Sequence, residues 1–201
     1  MQKLLIATKN PGKFGEIKGV LSGLPFEFLF LGDLDEDFGD VSEDGETFYD
    51  NAFLKARYFA DKAGLLTLAE DSGILIDAFP GEFGVKTRRW GLGEGASDEE
   101  WIVYFMEKMK DKGERGARFT CNAVLVDGDS VWGFEGETPG SITEELMAPI
   151  LPGLPLSSCF MPEGFDKVYA GLTREEKNEI SHRGQAILKV RKFLEEMGAS
   201  D

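Results

Sequence analysis

The chain has 201 residues, 42% of them apolar, and a formal net charge of −15. That length suits one large domain or two lobes sharing a sheet, with enough residues to bury a sizeable core. The acidic balance excludes general affinity for a nucleic-acid polymer or an anionic membrane, both of which need a positive field. Cys121 and Cys159 fit no metal-ligand spacing and no disulfide framework. The first apolar run, Leu4 to Ala7, is too short for a leader, and no run approaches the length of a membrane span. A soluble, cytoplasmic protein is expected.

Lys3 to Ala7 reads as a short buried strand that enters Thr8-Lys9-Asn10-Pro11-Gly12-Lys13. Phe14, Ile17, Leu21 and Leu24 then mark one face of a helix, with Asn10 as N-cap and Pro11 at the first helical position. A helix N-terminus after a strand presents backbone N–H groups that suit phosphate, and Lys9 and Lys13 add positive charge. An ordinary capped helix with solvated lysines fits the same residues. Residues 32–45 carry seven acids, Asp33, Asp35, Glu36, Asp37, Asp40, Glu43 and Asp44, and read mainly as a solvated loop. Thr47 and Asp50 resemble a capping box. The helix they open buries Ala52, Phe53, Ala56, Phe59, Ala60 and Ala63, and Gly64 ends it. Asn51 and Lys55 lie one turn apart on another face and can enter a common cleft.

Leu66 to Asp77 reads as two buried strands on either side of a break at Glu70-Asp71-Ser72-Gly73. Adjacent carboxylates resist burial together unless a cation or hydrogen-bond donors compensate. A cation site and a polar turn fit this pair equally well.

Gly81 to Gly91 is a glycine-punctuated loop holding Lys86, Arg88 and Arg89. Ser97 and Glu100 cap a helix whose core face is Trp101, Ile102, Phe105, Met106 and Met109. Arg118 to Val126 and Val131 to Phe134 form a hairpin around Asp127-Gly128-Asp129, with a break expected at residues 136–140. Prolines 149, 152 and 155 make Pro149 to Phe160 a loop. Thr173 and Glu176 cap a short helix holding Lys177. Ser181-His182-Arg183-Gly184 opens the last helix, with Ala186, Ile187, Val190, Phe193, Leu194 and Met197 as its apolar face. A histidine beside an arginine at a helix start suits an anion. The alternation of strands and helices indicates an α/β fold. A divalent cation with phosphate groups accounts for the basic junctions and the carboxylate pair together.

Four segments, Thr8 to Lys13, Glu43 to Ala52, Ala69 to Gly73 and Ser181 to Ala186, resemble in order the inosine triphosphate pyrophosphatase (Ham1-like) family. The resemblance spans nearly the whole chain and implies a single domain over residues 1–201. The implied architecture is two-lobed, with a long mixed β-sheet flanked by helices and an active-site cleft between the lobes. It implies hydrolysis of ITP, dITP and XTP to the monophosphate and pyrophosphate, with Mg2+ as cofactor and a homodimer as the assembly. Carried over by position, Asp71 is the general base, Lys55 a catalytic cation, and Glu43, Glu70 and Asp71 the metal ligands. Thr8, Lys9, Asn10, Pro11, Gly12, Lys13 and Ser72 contact the triphosphate, and Lys177, His182 and Arg183 contact the nucleotide.

The chain departs from the family at Gly153-Leu154-Pro155-Leu156-Ser157-Ser158, where the family has Gly-Phe-Gly-Tyr-Asp-Pro and reads the base. Leu154, Pro155, Leu156 and Ser157 hold those substrate-binding positions here. Phe83, Thr87 and Arg88 stand where proline, serine and alanine are usual, and whether Arg88 or Arg89 replaces the missing base contacts is open. Loss of two aromatics and a carboxylate leaves two alternatives beside purine selection: the same chemistry with altered or relaxed base preference, and nucleotide binding with little turnover.

Overall fold

The computed structural model describes residues 1–34, 38–39, 41–87, 90–93 and 95–198. Asp35, Glu36, Asp37 and Asp40 of the acidic loop, and Arg88 and Arg89, lie outside them. Two compact units divide the chain. The first takes residues 1–72, 121–136 and the stretch from His182 onward, and the second takes 73–120 and 137–181. Six strands, β1 (Gln2–Ile6), β2 (Phe26–Phe30), β3 (Leu66–Ile76), β4 (Gly116–Asp127), β5 (Ser130–Ile142) and β6 (Phe160–Pro162), form one sheet in the order β2-β1-β3-β4-β5-β6. The sheet is mixed, because β1 is parallel to both β2 and β3 while β5 and β6 are antiparallel. The expected α/β class holds.

In the first unit, strand alternation sorts the core into two layers. Leu4, Ile6, Leu66, Leu68, Cys121, Ala123 and Leu125 pack against α1 (Pro11–Leu21) and α5 (His182–Gly198) through Ile17, Leu21, Ala186, Ile187, Val190 and Leu194. Leu5, Ala7, Ala69, Val124 and Val126 pack against Ala52, Ala56, Phe59 and Ala60 of α2 (Phe48–Ala63). Each fully buried leucine or isoleucine contributes about 1.5–3 kcal/mol, so these two layers fix where the three helices sit. The ends of α2 follow its sequence. Thr47 and Asp50 form the reciprocal capping box, and Gly64 closes the helix in the left-handed region at φ 64°.

Three expectations need correction, and one strand, β2, has no expectation attached to it. Helix α1 ends at Leu21, so Leu24 lies beyond it, although it packs on the same core. Strand β2 carries no turn signal, and its Phe26 and Phe28 still pack against the first layer. Strand β3 runs unbroken through residues 70–73, because Glu70 and Asp71 find cationic and amide partners on either side of it instead of turning the chain toward water. Strand β5 likewise runs through residues 136–140. A Cβ on Gly136 would lie 2.1 Å from the His182 carbonyl oxygen, and one on Gly140 would lie 2.3 Å from that of Met161. These glycines permit close backbone approach and do not end the strand.

The second unit has its own core around Ile74, Ile76, Phe105 and Phe160. Helix α3 (Asp98–Met109) is capped by Ser97 and Glu100 and supplies Trp101, Ile102, Phe105 and Met109. Phe83, a departure from the family pattern, is buried with its ring 4.7 Å from that of Trp90 and 5.8 Å from that of Phe105. Its substitution for proline is therefore a core-packing change. The proline-rich segment forms a bridge between Leu151 and Leu154 and one 3-10 turn, Pro155–Ser158, before β6. A seven-residue helix, α4 (Arg174–Ile180), is capped by Thr173 and Glu176.

Candidate active site

Glu70 and Asp71 are consecutive on β3, so their side chains leave opposite faces of the strand. Asp71 points toward α2. Its Oδ2 accepts a hydrogen bond from Asn51 Nδ2 at 3.0 Å, and its Oδ1 lies 3.5 Å from Lys55 Nζ. Lys55 Nζ is also 3.2 Å from Glu43 Oε1. Spacing of four residues on α2 puts Asn51 and Lys55 on the same face, and both are buried. Lys55 is therefore not a solvated surface charge. Asn51 Oδ1 accepts from the Gly45 N–H at 2.8 Å, which fastens the segment carrying Glu43 to the helix. A Cβ on Gly45 would sit 2.7 Å from that same oxygen.

Burial raises the Asp71 carboxyl above the usual aspartate range, with Glu43 and Glu70 adding to the rise and Lys55 and Asn51 opposing it. Such a carboxylate is a stronger base than one in water. On the other face, Glu70 is buried. Its Oε1 lies 2.6 Å from Lys13 Nζ of α1, and its Oε2 is 3.5 Å from Arg183 Nε of α5. Burial opposes ionisation there, but Arg183 and Lys13 prevail and hold the carboxyl down at about 2. Cys121 Sγ donates to Glu70 Oε2 at 3.5 Å, and burial first, then the glutamate charge, push its thiol pKa up. Arg183 also reaches Glu16 at 2.8 Å and Ser72 Oγ at 3.2 Å, so its guanidinium joins α1, β3 and α5.

Both faces meet in one cleft of about 340 Å³ just past the C-terminal end of β1. Thr8, Lys9, Asn10 and Lys13 line it with Glu43, Lys55 and Glu70. Parallel strands ending beside helix starts commonly place ligands there. The start of α1 differs from expectation. Asn10 Oδ1 accepts from the N–H groups of Gly12 at 2.8 Å and Lys13 at 3.2 Å, Pro11 has none, and Phe14 N–H donates to the Asn10 carbonyl. The first-turn amides are thus engaged by the cap, which leaves the lysines as the cleft's cationic groups. Asn10 N–H in turn donates to Thr8 Oγ1 at 3.2 Å.

Of the remaining expected residues, Leu154 to Ser157 and Lys177 belong to the second unit and His182 to the first. In the second unit Leu156 and Ser157 are buried, with Ser157 Oγ donating to the Leu154 carbonyl at 2.6 Å, whereas Leu154 is 56% exposed. Leu156 and Ser157 thus pack into the second unit's interior. Pro155 starts the 3-10 turn. Lys177 Nζ lies 5.7 Å from the centre of the Tyr169 ring. His182 starts α5, where burial and the Arg183 charge bring its imidazole down to about 4, so it is neutral at pH 7.

Glu43 and Asp71, on either side of one ammonium, are the pair able to hold a hard divalent cation. Such an ion often takes one or two carboxylates and completes its shell with water and phosphate oxygens. Glu70, on the opposite face of the strand, is held by Lys13 and Arg183. Among the described residues no three histidine, cysteine or carboxylate side chains form a ready-made metal cage. Among the described residues, no helix is long and apolar enough to cross a membrane. The spacing of Asn51 and Lys55 points Asn51 at the cleft, but spacing alone assigns it no role. Glu16 and Cys121 carried no local signal.

The chain is similar to known proteins along nearly its whole length. The Ham1 family model matches residues 4–193. A dITP/XTP pyrophosphatase of Geobacter sulfurreducens is 38% identical over 197 residues, 96% of this chain and 97% of that one. One from Bacillus subtilis is 35% identical over 198 residues, covering 97% and 98%. Among solved structures, a HAM1 protein from Coxiella burnetii aligns with a TM-score of 0.87 at 32% identity, covering 98% of this chain and all of that one.

Proposed function

The chain belongs to the Ham1 family, and from that premise we propose that it hydrolyses non-standard purine nucleoside triphosphates, dITP, ITP and XTP, to the monophosphate and pyrophosphate. The carrying observation is the buried Asp71 held between Asn51 and Lys55 with Glu43 alongside, at a cleft lined by Lys9 and Lys13. Asp71 is the general base, oriented by the Asn51 amide and lifted by burial into a range where it takes a proton from water more readily. Lys55 steadies that carboxylate in the resting site and offers positive charge to the phosphate oxygens. Lys9, Lys13 and the Thr8 hydroxyl receive the triphosphate. Glu43 and Asp71 fit Mg2+, which when bound polarises a phosphoryl oxygen and lowers the pKa of a coordinated water.

Residues 1–201 serve as one catalytic domain in this reading, working as a cytoplasmic homodimer on free nucleotides. A field as acidic as −15 keeps the chain off nucleic-acid polymers and anionic membranes. Pyrophosphate release across dITP, ITP, XTP and the common triphosphates tests the activity. A rate on dITP, ITP or XTP at least tenfold above the common nucleotides is the expected outcome. Absence of release from every nucleotide would refute it.

A second reading, the same chemistry with relaxed base preference, draws on the buried Leu156 and Ser157, whose side chains are neither aromatic nor charged. Rates on common nucleotides close to those on dITP would favour it.

A further inference from the structure

We propose that Glu70 is a positioning residue for the triphosphate-binding cations and not a ligand of the metal. The proposal rests on the pyrophosphatase reading. Adjacency to Asp71 makes Glu70 look like half of a metal-binding pair, but strand alternation separates the two. Asp71 faces α2 with Asn51 and Lys55, and Glu70 faces α1 and α5. Leu66 and Leu68, four and two residues earlier on β3, pack against those same two helices, so the direction of Glu70 is set by the register of the strand. Both of its oxygens are engaged, one by Lys13 at 2.6 Å and the other by Arg183 and the Cys121 thiol at 3.5 Å each.

The consequence falls on Lys13. A lysine side chain has four rotatable bonds and in water keeps its ammonium mobile. Here a buried carboxylate holds that ammonium at the wall of the cleft, where a third of the side chain remains open to solvent. The cation is therefore in place before any phosphate arrives, and the ordering entropy has already been met in the folded protein. The same carboxylate orients Arg183, whose other nitrogens are turned toward Glu16 and Ser72. Glu70 thus acts through Lys13 and Arg183 and touches no reacting atom.

The test compares Glu70→Gln with Glu43→Gln. Binding of Mn2+ alone, without nucleotide, is followed by electron paramagnetic resonance of the free ion. Glu70→Gln is expected to keep Mn2+ affinity within about twofold of wild type, and Glu43→Gln to lose about tenfold or more. In dITP hydrolysis, Glu70→Gln is expected to raise KM about tenfold with a smaller change in kcat. In a Lys13→Met background it should add clearly less than that tenfold, because one of the two residues through which it acts is gone and only Arg183 remains. Where Glu70→Gln alone does not fold, Glu70→Gln with Lys13→Met removes both charges of the pair and carries the Mn2+ measurement. Loss of Mn2+ affinity on the scale of Glu43→Gln, in either variant, would make Glu70 a ligand and overturn the proposal. Full additivity with Lys13→Met would overturn it as well. Wild-type inactivity on every nucleotide would count against the pyrophosphatase reading alone, since the Mn2+ comparison needs no turnover.

Discussion

Asn51 donates to Asp71 at 3.0 Å through its amide nitrogen and accepts the Gly45 N–H at 2.8 Å through its amide oxygen, and it is buried. One side chain thus sets the orientation of the candidate base and the position of the segment bearing Glu43. Asn51→Leu should lower kcat on dITP by about 10–100-fold, the range seen when a partner of a site carboxylate is removed. It should also cost about 1–3 kcal/mol of stability, because the Gly45 N–H loses its acceptor. Steady-state kinetics and urea unfolding of the same variant check both. A kcat within twofold of wild type would remove the orienting role.

Asp71 is raised first by burial and held back chiefly by Lys55. A base must be unprotonated, so activity falls as pH drops through the Asp71 pKa. Lys55→Met removes the main stabilising charge, and the acid limb of the kcat/KM profile should move to higher pH. Asn51→Asp places a like charge beside Asp71 and should move it the same way. Asp71→Asn should abolish turnover and leave nucleotide binding measurable by calorimetry. Full activity in Asp71→Asn would mean that another group is the base.

What the sequence revealed and what it concealed divide by range of interaction. The capping boxes at Thr47 and Ser97 and the Gly64 stop depend on residues within four positions, and the structure has them where the sequence puts them. Asn51 and Lys55 at i and i+4 were legible for the same reason. The continuity of β3 was not, since a strand and a turn share the pattern Glu70-Asp71-Ser72-Gly73. What decides between them is Lys13, Arg183, Asn51 and Lys55, all at least fifteen residues away in sequence. The free amides expected at α1 depended on which way the Asn10 side chain turned, and it turned back onto Gly12 and Lys13.

His182 carries a linked prediction for stability. Burial, then Arg183 and Lys13, bring it from 6.5 to about 4 in the folded chain, with Glu70 opposing. Between those values the unfolded chain binds the extra proton, so stability is full above about pH 6.5 and declines as pH falls toward 4. The window corresponds to roughly 3 kcal/mol at about 1.4 kcal/mol per unit. Glu70, depressed from 4.5 to about 2, adds a further loss below pH 4.5. Urea unfolding of wild type and His182→Gln at pH 7.5, 6.5, 5.5 and 4.5 separates the two, and His182→Gln should show the shallower decline above pH 4.5. Parallel slopes would mean that the imidazole is not neutral in the folded state.

Glycines of the first unit supply a paired prediction whose signs oppose. At Gly136 on β5 a Cβ would meet the His182 carbonyl oxygen at 2.1 Å and the Ala186 nitrogen at 2.7 Å. Both are backbone atoms of α5, so neither can swing aside, and the helix itself would have to shift. Gly136→Ala should cost about 2–4 kcal/mol. Gly19 lies inside α1 with nothing within 4 Å of a built Cβ and no positive φ. There the methyl meets open space and the helix gains from reduced unfolded-chain freedom, so Gly19→Ala should add about 0.5–1 kcal/mol. For a chain of this length about 1 kcal/mol moves Tm by roughly 2–4 °C, so thermal unfolding resolves the two. Because α5 begins at His182 and Arg183, the Gly136→Ala shift should also reach the site and raise KM for dITP, whereas Gly19→Ala should leave KM unchanged. A stable Gly136→Ala with wild-type KM would show that β5 and the start of α5 do not approach this closely in solution.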